Sequence, residues 1–333
     1  LIPFRGHAAR VRVEISCIRI SIRRFLRPVK LRQFKHKIDN LSKRLYNRFI
    51  HYLLSFILYF MPKVSILMAT YNRAGLIDSA IKSAQNQSFN DWELIIADDG
   101  SADNTSEVVA EWLKKEPRII YTRSEINQGI SKNYNRGLRL AKGEYVAMLD
   151  DDDPWCDPDK LKKQIEFLDK NPDYAGCGGG MIVIDGDGKE VYRYLKPETD
   201  EAIRNKMLFG NPMANSTTMF RRSAGEKAGL YDESTRYSGD RDFWLKLGLI
   251  GKLRNLPEYF SYYLMANDNT SIIKIRPHLK ASIMVMKRYK DKYPGYYPAL
   301  VFNELQYFYA FIPESIRKRI HPALARMKRR LAG

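Results

Sequence analysis

Asp150, Asp151, Asp152 and Asp153 follow one another directly behind the apolar residues 145–149, and two other polar clusters lie upstream, Thr70-Tyr71-Asn72-Arg73 and Asp98-Asp99-Gly100-Ser101. Adjacent carboxylates repel: a like-charge pair about 4 Å apart near a protein surface is unfavourable by roughly 4 kcal/mol at an effective dielectric of about 20. The run therefore calls for a cation. Carboxylates two positions apart on a turn, as Asp150 and Asp152 are, can hold a hard divalent ion and leave water and phosphate oxygens to complete its octahedron. A nucleotide diphosphate is a common companion of such an ion. Neither a GxxxxGK[ST] loop nor a GxGxxG turn follows the first strand, so any phosphates are held in another way.

The elements that position these clusters are legible from periodicity. Residues 64–69 (VSILMA) and 93–97 (ELIIA) are continuous apolar runs of strand length bounded by polar turns, as in buried parallel strands. Between them Leu76, Ile77, Ala80, Ile81 and Ala84 recur at helical spacing, which completes a βαβ unit. Residues 104–115 read as a second helix, 118–122 as a third strand, 131–142 as a third helix and 144–149 as a fourth strand. The fold class is α/β, an open, mostly parallel sheet flanked by helices. In such sheets ligands sit beyond the carboxyl ends of the strands, where the three polar clusters fall. Asp99-Gly100-Ser101 alone would make an ordinary turn, and Asp103 or Asn104 alone an ordinary helix cap. Their convergence from separate strand ends is what points to a site. The CGGG stretch at residues 177–180 reads as a glycine cluster inside a strand, there for backbone crowding near a ligand or, the favoured reading, for simple packing.

Composition narrows the function class. The 333 residues, 44% of them hydrophobic, suffice for a sizeable core, and three scattered cysteines supply neither a disulfide framework nor a zinc site. A reducing compartment, the cytoplasm, is the expectation. The net charge of +18 suggests nucleic acid until it is located: residues 1–60 hold 14 Lys and Arg against Glu14 and Asp39, leaving the remainder only mildly basic. The strand ends are acidic, where phosphates would be repelled without a metal, so a nucleic-acid partner is not expected. The first methionine is Met61, just before the first strand, and residues 1–60 read as a basic N-terminal extension, either upstream of a natural start there or part of a longer product. Within it the 12-residue, mainly apolar segment 49–60 would span about 18 Å as a helix, short of the roughly 30 Å bilayer core. With Lys43, Arg44 and Arg48 they suit either an anionic interface or a buried segment. No cleavable signal peptide is evident.

The segments VSILMATYNR, WELIIADDGSAD, NQGISKNYNRGLRLAKGEYVAMLDDDDPW and YSGDRDFWLKL resemble the successive motifs of glycosyltransferase family 2, enzymes of the GT-A nucleotide-diphospho-sugar transferase fold, over about residues 62–265. The resemblance implies an inverting transferase, a UDP- or other nucleotide-diphospho-sugar donor, and a divalent metal, manganese or magnesium. By motif, Thr70, Tyr71 and Asn72 would line the nucleoside pocket and Asp99 would bond the base. Asp152 would ligate the metal, with Asp150 on ribose or metal-bound water and Asp153 orienting the loop. The family often has Arg before the Asn of its RNxG motif, where this chain has Tyr134 before Asn135; Lys132 or Arg136 would supply the charge. Residues 215–222 resemble the family's strand beside the donor sugar, and residues 239–244 its acidic motif opening a helix. Inversion needs one base for the acceptor hydroxyl, and Asp240 is assigned to it, with Asp242 a supporting partner of the helix dipole.

The expected domains are 61–265, divided at 155 into a nucleotide-binding and an acceptor half, and a helical, basic and aromatic C-terminal extension over 266–333. The acceptor would be a glycan or lipid-linked sugar of cell-surface polysaccharide or glycolipid synthesis, met at the inner face of the cell membrane by peripheral contact with anionic lipid. Two alternatives share the fold: a nucleotidyltransferase-like enzyme, for which TYNRAG offers only Arg73 as a basic residue, and an inactive sugar-nucleotide-binding protein, which would lack the base. The five histidines lie outside the matched region, so triads and zinc sites are not expected.

Overall fold

The computed structural model describes residues 61–265 and 275–312. The expectations for residues 1–60, for the 266–274 link and for the basic end 313–333 lie outside the described residues.

Strand β1 (Val64–Thr70), helix α1 (Ile77–Gln85), β2 (Trp92–Asp98), α2 (Thr105–Lys115), β3 (Ile119–Arg123), α3 (Ile130–Leu138) and β4 (Tyr145–Met148) follow in the alternation that the periodicity predicts. β1 pairs in parallel with β2 and β4, and β2 with β3. Then come α4 (Lys160–Lys170), β5 (Tyr174–Ile184), β6 (Glu190–Tyr194), α5 (Asp200–Lys206), β7 (Met219–Arg221), α6 (Arg222–Lys227), α7 (Gly239–Ile250) and β8 (Lys252–Leu264). The sheet runs β3-β2-β1-β4-β7-β5-β6, with β8 parallel beside β5 and antiparallel pairing at β4-β7, β7-β5 and β5-β6. α8 (Ile275–Arg288) packs on α7 and on α9 (Tyr296–Tyr309).

The unbroken burial of β1 and β2 has a simple cause. Successive side chains point to opposite faces, and both faces are covered. Val64, Ile66 and Met68 join Leu94, Ile96, Ile81, Val109 and Trp112 on one side. Leu67, Ala69, Ile95, Val146 and Met148 join Tyr134, Phe220, Phe243, Trp244 and Met286 on the other.

Three local readings differ from the structure or are sharpened by it. Helix α3 stops at Leu138 because Leu140 N and Ala141 N turn back to the carbonyls of Gly137 and Leu138 at 2.9 and 3.2 Å, tightening the end. Residues 215–222 are not one strand: Asn215–Thr217 is a 3₁₀ turn, and β7 occupies only Met219–Arg221. The glycines of β5 serve packing, since a Cβ on Gly178 would meet Asn255 Oδ1 at 2.6 Å and one on Gly179 the Phe260 ring at 2.5 Å.

Candidate active site

The loops after β1 and β2 form one assembly. Asn72, in the left-handed region at φ 55° that Asn tolerates better than most residues, donates its N–H to Ser101 Oγ at 2.9 Å and accepts from Ala102 N at 2.8 Å. Arg73 N reaches Thr105 Oγ1 at 3.0 Å and Ala74 N reaches Asp103 Oδ2 at 3.1 Å. Beneath them Asp98 is buried, accepting from Ser101 N and Oγ at 2.8 and 2.7 Å and from Tyr121 O–H at 2.6 Å. Asp99 accepts from Gln128 N at 2.9 Å and Gly129 N at 2.8 Å, fixing the start of α3 at a residue whose φ of 95° suits glycine. Tyr71 is exposed at the lip and Thr70 is buried. From α3, Arg136 donates to the Asp98 carbonyl and Asn133 Oδ1, whereas Lys132 is exposed and its charge acts on Glu233. Of the two basic candidates, Arg136 is the one against the Asp98-Asp99 turn.

The acidic run at the end of β4 solves its repulsion largely with protein donors. Asp150 Oδ1 accepts from Tyr134 O–H at 2.9 Å and Asn215 Nδ2 at 2.8 Å, and its Oδ2 from Ser216 O–H at 2.6 Å. Burial still raises the Asp150 carboxyl above its usual range. Asp153 faces Ser216 Oγ at 3.3 Å, and its carboxyl is raised well above the usual range by burial and by Asp152 and Asp150. Arg73 stands 4.0 Å from Asp151 and 3.8 Å from Asp152. Burial and the Asp152 charge push the Asp151 carboxyl up to about 7, even with Thr70 and Arg73 pulling the other way.

The chain's second half closes the site. Tyr134 stacks on Tyr231 with ring centroids 4.8 Å apart, and Tyr231 on Phe243 at 4.4 Å, so the start of α7 is set against α3. Asn135 locks the loop, donating to Tyr231 O at 2.9 Å and accepting from Tyr231 N at 2.9 Å. Asp240, in the first turn of α7, accepts from Asn211 Nδ2 at 2.9 Å through Oδ2, and among the described residues no protein donor engages its Oδ1. Burial raises the Tyr231 and Tyr134 hydroxyls well above their ordinary range, with Asp240 and Asp150 both adding to the shift. Both carboxylates therefore act on the same stacked tyrosine pair, Asp150 through a direct hydrogen bond from Tyr134. Asp242 points elsewhere, accepting from Tyr289 O–H at 2.8 Å and pairing Lys246 at 3.1 Å, and so anchors α8.

Tyr134, Asn215, Ser216 and Asn211 carry polar contacts of the site that sequence reading did not assign. The signal available for Tyr134 was its departure from the family's Arg, and for Asn215 and Ser216 the run of Asn, Ser and Thr at 215–218. His278, set aside on sequence position, packs its ring 4.7 Å from Tyr237, and burial lowers it below its ordinary value. The residue types suit a hard divalent ion: the run offers carboxylate oxygens, and Asn215 Oδ1, beside Asp150, is a buried oxygen without a protein partner. Among the described residues no three His, Cys, Asp or Glu side chains form a group that could hold a metal ion by themselves.

Residues 65–228 match the family model described as Glycosyl transferase family 2. The chain is 34% identical over 188 residues to the putative glycosyltransferase EpsE of Bacillus subtilis, covering 56% of this chain and 66% of that one. It is 48% identical over 192 residues to the GalNAc(5)-diNAcBac-PP-undecaprenol beta-1,3-glucosyltransferase of Campylobacter jejuni, covering 56% of this chain and 60% of that one. Both matches span less than two thirds of the relative's length. The fold is also that of the mannosyltransferase PcManGT from Pyrobaculum calidifontis, solved with GDP-Man and Mn2+, at a TM-score of 0.55, 18% identity and 81% coverage of each chain. Through residues 65–228 the chain belongs to glycosyltransferase family 2.

Proposed function

We propose that this chain transfers a sugar from a nucleotide-diphospho-sugar to an acceptor hydroxyl with inversion, in the synthesis of a cell-surface polysaccharide or glycolipid. The observation that supports the reading is that Asp150, bonded by Tyr134, and Asp240 both act on the stacked Tyr134–Tyr231 pair. The nucleoside end fits the lip made by Thr70, Tyr71 and Asn72 over Asp98 and Asp99. Asp152 would hold a manganese or magnesium ion, with Asp150 next to it kept in place by Tyr134, Asn215 and Ser216. When bound, the ion supplies electrophilic stabilisation of the departing diphosphate. Arg73, between Asp151 and Asp152, is a protein cation on the same side.

Asp240 is the base. Its Oδ2 is held by Asn211, which leaves Oδ1 to accept the hydroxyl proton. As the acceptor oxygen forms its bond to the anomeric carbon, the bond from that carbon to the diphosphate oxygen breaks on the opposite side, the proton passes to Asp240, and the nucleoside diphosphate leaves. Attack from the opposite side gives the inverted product. The Campylobacter relative, by its name, acts on an undecaprenol-linked glycan; a lipid-linked acceptor of that chemical class is the one proposed here.

Calorimetry with a panel of sugar nucleotides tests the donor side, with manganese and with chelator, on the wild type and on Asp152→Asn. Metal-dependent binding of one nucleoside diphosphate class that Asp152→Asn abolishes is expected. Equal affinity with and without chelator would remove the metal from the account.

A further inference from the structure

The outer face of α9 carries a feature that sugar transfer does not use. Tyr297, Val301, Leu305 and Phe308 are 68%, 59%, 63% and 65% exposed. At 3.6 residues per turn they fall within about 80° of arc, one continuous apolar row with no charge inside it. Single exposed apolar side chains are ordinary, but a contiguous row marks an interaction surface. The opposite face of the helix is fixed. Ala299 and Asn303 are buried, and Asn303 donates to the Leu208 carbonyl at 3.0 Å while accepting from Arg241 Nη1 at 3.3 Å. Arg241 is the chain neighbour of Asp240, so the row is carried on a helix pinned to the base side of the site.

The rim of the row is cationic. Lys290 lies over the rings of Tyr296 and Tyr297 at 5.5 and 5.6 Å, Arg276 lies over Phe311 at 4.4 Å, and Lys280 and Lys287 are exposed on α8. The acid at the edge, Glu304, faces Lys287 at 3.7 Å. In sequence the next stretch, residues 313–333, holds seven Lys and Arg against Glu314. Among the described residues no helix is long and apolar enough to cross a membrane.

We infer that this face of α9 seats the protein on an anionic lipid surface, a deepening of the lipid-linked-acceptor reading on which it rests. An apolar row on one convex helix, bordered by cations, has the make-up of a helix that lies in the plane of an interface. A negatively charged leaflet attracts each rim cation within a Debye length. Pairing with a second copy through the same row would bring the cationic rims of Lys290 and Arg276 from both copies to one interface.

The test uses the full chain and sedimentation with vesicles of phosphatidylcholine, with and without phosphatidylglycerol. Wild type should sediment with the phosphatidylglycerol vesicles and less so at high salt. The double variant Leu305→Asp, Phe308→Asp should lose about tenfold or more of that binding. A Tyr297→Trp reporter guards against misfolding of the double variant, and its emission should shift to the blue and be quenched by brominated lipid. Equal sedimentation of variant and wild type, an unquenched reporter, or a wild-type dimer that the double variant converts to monomer would each overturn the inference. Donor binding on the same proteins keeps the two readings apart. A variant that leaves the vesicles and still binds sugar nucleotide shows that only the surface was changed, as the inference requires, whereas absence of donor binding in the wild type would count against the transferase reading alone.

Discussion

Ser216 is the residue whose removal should disturb the acidic run most for the least change in volume. Its Oγ donates to Asp150 Oδ2 at 2.6 Å, accepts from Asp150 N at 3.2 Å and faces Asp153 Oδ2 at 3.3 Å. The side chain is 1% exposed, so solvent has little access to replace it. A hydrogen bond to a charged acceptor contributes roughly 1.5–3 kcal/mol, and stranding a buried partner moves the cost to the upper part of that range. Ser216→Ala should therefore lose about 2–3 kcal/mol of stability, a drop in Tm on the order of 5 °C. Tyr134→Phe is the internal control. It also removes a donor to Asp150, but Asn215 Nδ2 still reaches the same oxygen at 2.8 Å and the ring keeps its stack on Tyr231. Its cost should be smaller. Urea and thermal unfolding of both variants in one buffer decide the matter. A Ser216→Ala protein that melts with the wild type, or a Tyr134→Phe protein that melts lower than it, would refute the hydrogen-bond assignment around Asp150.

Lys160 supplies a pH prediction. It is fully buried, donates to Gln164 Oε1 at 2.8 Å and lies 4.1 Å from the Trp155 ring centroid, and burial pushes its ammonium down from the ordinary 10.5 to about 7. Between those two values the unfolded chain binds the proton that the folded chain has released. Stability should therefore rise with pH across that window, by up to about 1.4 kcal/mol per unit, and Lys160→Met should remove the rise; parallel stability curves for the two proteins from pH 7 to 10 would contradict it. Gly179→Ala should cost about 1–3 kcal/mol, because the added Cβ would lie 2.5 Å from the Phe260 ring and 2.8 Å from the Glu258 carbonyl oxygen; unchanged denaturant midpoints would show that the strand relaxes freely.

The parts of the fold legible in the sequence are those with local periodicity. β1 to β4 and their helices announce themselves because buried parallel strands need unbroken apolar runs, while the covering helices need a single apolar stripe. The strand-end clusters were legible for the same reason, since punctuation by Asp, Asn and Ser marks where each run stops. What was not legible depends on contacts distant in the chain. Ser216 meets Asp150 across 66 positions and Asn211 meets Asp240 across 29, and no pattern within a window carries either pairing. Residues 215–217 resemble part of the family's strand beside the donor sugar, yet they form a 3₁₀ turn whose Asn215 and Ser216 side chains serve Asp150. Lys160 sits in the charged stretch DKLKK, where nothing in the spacing separates the buried lysine from its neighbours Lys162 and Lys163.

The assignment of Asp240 as base is the central claim, and one pair of variants tests it directly. Asp240→Asn keeps the size and the contact with Asn211 but cannot take a proton at neutral pH. Sugar transfer to a cognate acceptor should fall by about 10² to 10⁴, the usual contribution of a general base, while donor affinity measured on the same protein stays near the wild-type value. Asp242→Asn, which loosens the Tyr289 and Lys246 contacts, should lower the melting temperature and cost far less in rate. Wild-type turnover by Asp240→Asn, or loss of turnover from Asp242→Asn in a folded protein, would contradict the assignment.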